Sequence, residues 1–139
     1  MTDGLLATDR LFQALFAQPD SMADFEVASD LDVSSIDYLP FLVHSSSASE
    51  DQNSDGLWSV LLNVYLYLEA RTAFDSAAVV YDVIKAWGKH PANGVVPGVG
   101  GIEEVKVLSA PARRSGVMDM INKQAVQYDG AFELTVRKL

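Results

Sequence analysis

At 139 residues, 49% of them hydrophobic, the chain has material for one sizeable core and would fill two with difficulty. It contains no cysteine, which excludes disulfides, thiolate nucleophiles and cysteine-built zinc sites, so packing alone must hold the fold. The net charge of −9 is unevenly spread: residues 1–70 hold 12 acids and one base (Arg10), a net −11, whereas residues 71–139 hold 7 acids and 9 bases, a net +2. If the two halves map to different surfaces, the subunit is electrostatically two-sided and suited to head-to-tail contact between copies. Tight binding of duplex DNA is disfavoured, because phosphate binding needs a concentrated basic face. The opening MTDGLLATDR has neither a basic nor a long apolar region, so no secretory signal is expected. The longest apolar stretch, Trp58 to Leu68, is interrupted by Ser59 and Asn63 and is shorter than the roughly 20 residues of a membrane-spanning helix, so a soluble protein made in the cytoplasm is expected.

In chain order, Asp3 to Ala17 places Leu5, Thr8, Leu11, Phe12, Leu15 and Phe16 at helical spacing, with Thr2 or Asp3 available as N-cap, and predicts an amphipathic helix over a sheet. Residues 21–38 scatter acids among Val and Leu and read as loop with at most one short strand. Leu39 to His44 reads as a short strand, with Pro40 at its start or on a sheet edge. The small, polar, acidic run 45–56 (SSSASEDQNSDG) cannot bury enough apolar surface to fold alone and reads as a long, mobile hairpin loop.

Leu57 to Ala70 alternates, with Trp58, Val60, Leu62, Val64, Leu66 and Leu68 on one face and Ser59, Leu61, Asn63, Tyr65, Tyr67 and Glu69 on the other. This predicts a long strand whose tyrosine-bearing face asks for a partner. Asp75 is expected to cap a second helix running through Lys89, with Ala77, Val80, Val83, Ile84 and Trp87 as its apolar stripe. The Gly- and Pro-rich stretch 88–101 reads as a second mobile loop. A strand is expected from Ile102 to about Ala112, with Val105 and Val107 on one face and Ile102, Leu108 and Ala110 on the other. Arg113 to Gln124 reads as a connection. Ala125 to Lys138 is the last strand, with Gly130 a bulge or bend. The expected fold is one α+β domain over residues 1–139. Its antiparallel or mixed sheet has about four strands and two helices on one face, in the order α-β-β-α-β-β.

No residue cluster spells out a reaction. His44 and His90 lack HxxxH-type spacing and read as edge or exposed histidines rather than ligands or bases. Ser45, Ser46 and Ser47 follow His44 but sit in a low-complexity run unlike the rigid turn a serine nucleophile needs. Asp30, Asp32 and Asp37 lack the order of a calcium loop, and Glu103 and Glu104 alternate across a strand. The glycines at 94, 98, 100 and 101 fit neither phosphate-loop pattern. No enzyme activity, metal or cofactor is expected. The candidate subunit-interface residues are Trp58, Tyr65, Tyr67, Arg113, Arg114 and Asp129.

The element order and the closing segment Gln127-Tyr128-Asp129-Gly130-Ala131-Phe132-Glu133-Leu134-Thr135-Val136-Arg137 resemble the tail terminator proteins of long-tailed phages, the lambda-type family of small α/β subunits. The resemblance spans most of the chain by topology. It implies a ring, hexameric in that family, which caps the tail tube, stops its polymerisation and joins it to the head-completion or neck proteins. The implied partners are further copies of the chain, the major tail tube protein and a neck protein, with genomic DNA as passing cargo in the lumen and the virion as final location. The 45–56 loop departs from that pattern and suits a different neck protein equally. The alternatives are another head–tail joining or tail-tube subunit, or a small-molecule-binding or enzymatic α+β domain with its ligand between helix 75–89 and the sheet.

Overall fold

The computed structural model describes residues 5–51, 56–89, 93–114, 118–120 and 123–139. Helix α1 spans Thr8–Ala17, and a short 3-10 turn at Asp20–Met22 leads into β1 (Glu26–Ser29), β2 (Phe41–Glu50) and β3 (Leu57–Glu69). Helix α2 spans Ala73–Trp87 and is followed by β4 (Val95–Val96), β5 (Gly100–Arg113), β6 (Met118–Met120) and β7 (Lys123–Lys138). The strands form one curled, half-barrel sheet in the order β1-β2-β3-β7-β5-β4, with β6 paired to the start of β7. All described pairings are antiparallel except β1 with β2.

This mostly-β architecture overturns the expected four-strand sheet of order α-β-β-α-β-β. Three strands escape periodicity because they are short: β1 has four residues, β4 two and β6 three. None is long enough to show an alternation, and the parallel β1–β2 pairing has no local signature. The two-helix count and the shared helix face survive. Leu11, Phe12, Leu15 and Phe16 of α1 and Ala77, Val80, Ile84 and Trp87 of α2 join the even-numbered side chains of β3 in a single core.

Both helices start later, or are capped differently, than expected. The expected caps Thr2 and Asp3 lie outside the described residues, and α1 begins at Thr8 after an exposed Leu5 and a buried Leu6. Helix α2 begins at Ala73 with Thr72 at the N-cap position and no side-chain cap. Asp75 sits instead in its first turn, where a carboxylate opposes the positive end of the helix dipole. Within the core, Phe16 meets Trp87 edge-on at 5.0 Å and Phe12 lies 5.9 Å from the same indole, locking the C-terminal ends of the two helices together.

The largest departure is at residues 45–50. Instead of starting a loop, they continue β2 in unbroken register with β3, from Ser45 opposite Asn63 to Glu50 opposite Trp58. The run is poor in apolar residues, but β3 beside it is a strong strand already held by β7, and a ladder on a preformed edge asks little of its own side chains. Just before β3, Gly56 has φ +78, a conformation glycine adopts without strain. In the 88–101 stretch, β4 and the start of β5 replace part of the expected loop, and His90 lies outside the described residues.

Gly130 is no bulge: β7 keeps continuous register with β3 across it. The irregularities lie opposite, in β5, between Ile102 and Glu104, Val107 and Ser109, and Ser109 and Ala112. A side chain at Gly130 would come within 3.2 Å of Pro111, so the glycine is where a distorted β5 crosses close over β7. The first of those shifts also changes a face: Ile102 joins Val105 and Val107 against the core, where strict alternation had separated them.

Candidate interaction surfaces

The alternation of β3 is as read, with Trp58 to Leu68 buried at even positions and the odd positions facing away from the helices. On that outer face, cross-strand register sets Tyr65 opposite Asp129 and Tyr67 opposite Gln127. Gln127 Nε2 donates to Asp129 Oδ1 at 2.9 Å, and Arg114 Nη1 lies 3.3 Å from Asp129 Oδ2. The backbone N–H of Arg114 donates to the Gln127 carbonyl at 2.8 Å, fixing where its side chain leaves the sheet. Burial, with the nearby Asp129 carboxylate, pushes the Tyr67 phenol above its ordinary value, while Arg114 pulls it back. Tyr65, Tyr67, Arg114 and Asp129 thus form one polar, aromatic patch. Gln127 is the member missing from the expected set, though it alternates onto the same face as Asp129.

The other two candidates lie elsewhere. Trp58 is on the helix side of the sheet, 7% exposed, and its Nε1–H finds no acceptor among the described residues. Arg113, the last residue of β5, pairs with Tyr128, whereas Arg114 lies just beyond the strand with its N–H on the Gln127 carbonyl, so Arg113 does not join the patch.

The sheet order also decides the charge question. Strands β1, β2 and β3, from the acidic half of the chain, occupy one side, and β7, β5 and β4, from the half with net positive charge, occupy the other. Arg10, the one base of the acidic half, faces the β4 side, sharing a depression with Gly98, Val99 and Lys138. Asp9, Asp30 and Asp32 lie close enough to His44 in β2 to act on its charge.

His44 is not the edge or exposed histidine expected. It is fully buried, flanked by Phe16 at 6.0 Å and Phe12 at 6.5 Å, because β2 runs on past it and α1 covers it. Its Nε2–H donates to Gln13 Oε1 at 2.9 Å, and Gln13 Nε2 donates to the Val27 carbonyl at 2.8 Å. One glutamine of α1 therefore ties together β1 and β2. Nδ1 has no partner among the described residues, and burial holds the imidazole below its ordinary value against the three aspartates.

A groove of about 480 Å³ between the end of α1 and α2 is lined by Pro19, Val79, Asp82, Val83 and Trp87 among others. Among the described residues, no three of His, Asp and Glu converge as metal ligands, and no helix is long and apolar enough to cross a membrane. No protein-family model matches the chain, and no curated protein matches it either.

Proposed function

We propose that the chain is a structural subunit of a phage tail, a terminator that assembles with copies of itself into a ring, caps the tail tube, halts its growth and joins it to the neck. The observation that carries this reading is the uneven charge along the sheet: it runs from an acidic β1–β2 edge to a β5–β4 edge whose charges balance, Glu103 and Glu104 against Lys106 and Arg113. Such a subunit favours head-to-tail contact, and heterologous contacts of that kind give a ring where the rotation between neighbours closes. The patch at Tyr65, Tyr67, Arg114 and Asp129 supplies a polar, aromatic surface of the composition that protein interfaces use. In this reading the ring contacts the major tail tube protein on one side and a head-completion protein on the other. Genomic DNA passes through a lumen, and the acidic surface would keep it from sticking. The subunit acts by shape and charge and carries out no reaction.

Co-assembly with a tube protein tests the proposal. Rings by native mass spectrometry, and tubes closed at one end by electron microscopy, are the expected results. A chain that stays monomeric at tens of micromolar and leaves tube growth unchanged contradicts it. Co-polymerisation along the whole tube would make it a tube subunit instead.

A further inference from the structure

We propose that the outer edge of β2, from Ser45 to Glu50, is a strand-addition site for an extended, basic segment of a partner protein. Strand β1 pairs with β2 only from Phe41 to His44, and the last bond on that side runs from the Asp30 N–H to the His44 carbonyl. Beyond it, β2 continues for six residues paired to β3 alone among the described residues.

The hydrogen-bond phase says which groups that leaves over. Asp51 donates to the Leu57 carbonyl at 2.8 Å, so odd-numbered residues of β2 bond inward to β3. Even-numbered residues bond outward, as the His44 carbonyl does to Asp30. Ser46, Ala48 and Glu50 therefore point N–H and C=O groups away from the sheet, spaced as an added strand requires. Ser45 to Ser49 carry nothing larger than a hydroxymethyl group, and from Ser47 onward the strand is exposed, so an incoming strand with large side chains meets no obstruction.

Charge selects the occupant. Asp30 and Asp32 stand where β1 stops, and Glu50 stands at the far end of the open stretch. A second copy of β2 would bring the same acids against them. A second copy of β5 is a poor donor, because its three register shifts and the missing N–H of Pro111 break the ladder it would have to offer. An extended segment carrying lysine or arginine at alternate positions satisfies both the open hydrogen-bonding groups and the acids around them. This inference rests on the assembly reading only in expecting a protein partner, and holds for any assembly that supplies such a segment.

The C-terminus provides the test. The Lys138 N–H donates to the Gly56 carbonyl, so β7 finishes at the hairpin end of the sheet, and the position outside β2 lies three strand spacings from it, about 14 Å away. A flexible linker of about eight residues spans that gap, and a donor strand fused through it would run antiparallel to β2. The probe is the full chain fused to a donor of alternating lysine and valine, beside a control donor of alternating glutamate and valine, read by residue-resolved amide exchange. The lysine donor is expected to slow exchange at Ser46, Ala48 and Glu50 about tenfold or more, the glutamate donor to do so far less, and Ala48→Pro to abolish the slowing at Ser46 and Glu50. No slowing by either donor, or slowing that survives Ala48→Pro, overturns the site; equal slowing by both overturns its basic preference. Concentration-dependent protection of the same amides in the unfused chain identifies a second copy as the occupant and overturns the assignment to a partner protein. Ring formation is read separately, so a chain that forms rings but rejects the donor strand refutes only this inference.

Discussion

At one edge of the sheet, Ser45–Glu50 runs in unbroken register with β3, its single neighbour among the described residues; at the other, β5 slips register three times and carries Lys106 and Pro111. Slips, a charge and a proline are the devices by which a natural sheet stops a strand from pairing with strangers. The β5 side has all of them, and the open part of β2 has only Glu50 at its far end. Two edges of one sheet, exposed to the same solvent, are thus treated differently: one is closed to pairing by its own distortions and the other is left able to pair. The difference teaches that an exposed edge is informative only together with its hydrogen-bond phase and its irregularities.

Changes that act on the core should not distinguish the edges. Phe132 is fully buried in β7 between the two, and Phe132→Ala should cost about 3–5 kcal/mol, read as a drop in denaturant midpoint, with both edges lost together. Persistence of the β2–β3 hairpin in that variant would show that the edges fold separately.

A proline pair is sharper. Ser47 directs its N–H at β3, so Ser47→Pro removes a ladder bond and should cost roughly 1–3 kcal/mol. Ala48 directs its N–H outward, so Ala48→Pro should change stability by no more than about 0.5–1 kcal/mol. Equal losses would mean that the phase of the edge is wrong.

Acid should weaken the β2 side. Burial depresses the His44 pKa below 6.5, so below that value the unfolded chain binds a proton that the folded chain resists. The contribution of His44 is whole above pH 6.5 and declines as pH falls from there through the folded value. Urea midpoints measured from about pH 8 to about pH 5 should fall, and His44→Leu should flatten that fall. A wild-type slope unchanged by the substitution would assign the acid sensitivity to carboxylates.

The smallest effect belongs to the polar patch. The Arg114–Asp129 pair is largely exposed on the arginine side, so Arg114→Ala should cost well under about 1 kcal/mol in the isolated subunit. If the patch is a subunit interface, the same change should weaken assembly much more than folding.

Legibility in the sequence followed length and periodicity. The thirteen residues of β3 alternate without a break and were readable to the side chain, as were the apolar stripe of α2 and, from Leu11 to Phe16, that of α1, though Leu5 is exposed ahead of the helix. Strands of two to four residues were not, nor was the bulge that turns Ile102 toward the core, because each depends on a partner distant in sequence. The patch was half legible: Tyr65, Tyr67 and Asp129 stood out by type and phase, whereas only the fold brings Arg114 to Asp129. The β2 edge was hidden by composition, since Ser45–Ser49 has the residues of a linker and takes its strand conformation from β3. His44 was misplaced for the same reason, because a strand taken to end at His44 leaves that residue at an edge.

The most direct measurement is therefore residue-resolved amide exchange of the unmodified chain, dilute enough to remain monomeric. Protection at Ser45, Ser47 and Ser49, with fast exchange at Ser46, Ala48 and Glu50, is the expected alternation of a strand bonded on one side only. Uniformly fast exchange through all six residues would return them to a loop, and uniform protection would mean that the edge is already occupied within the chain; either result contradicts an open β2 edge.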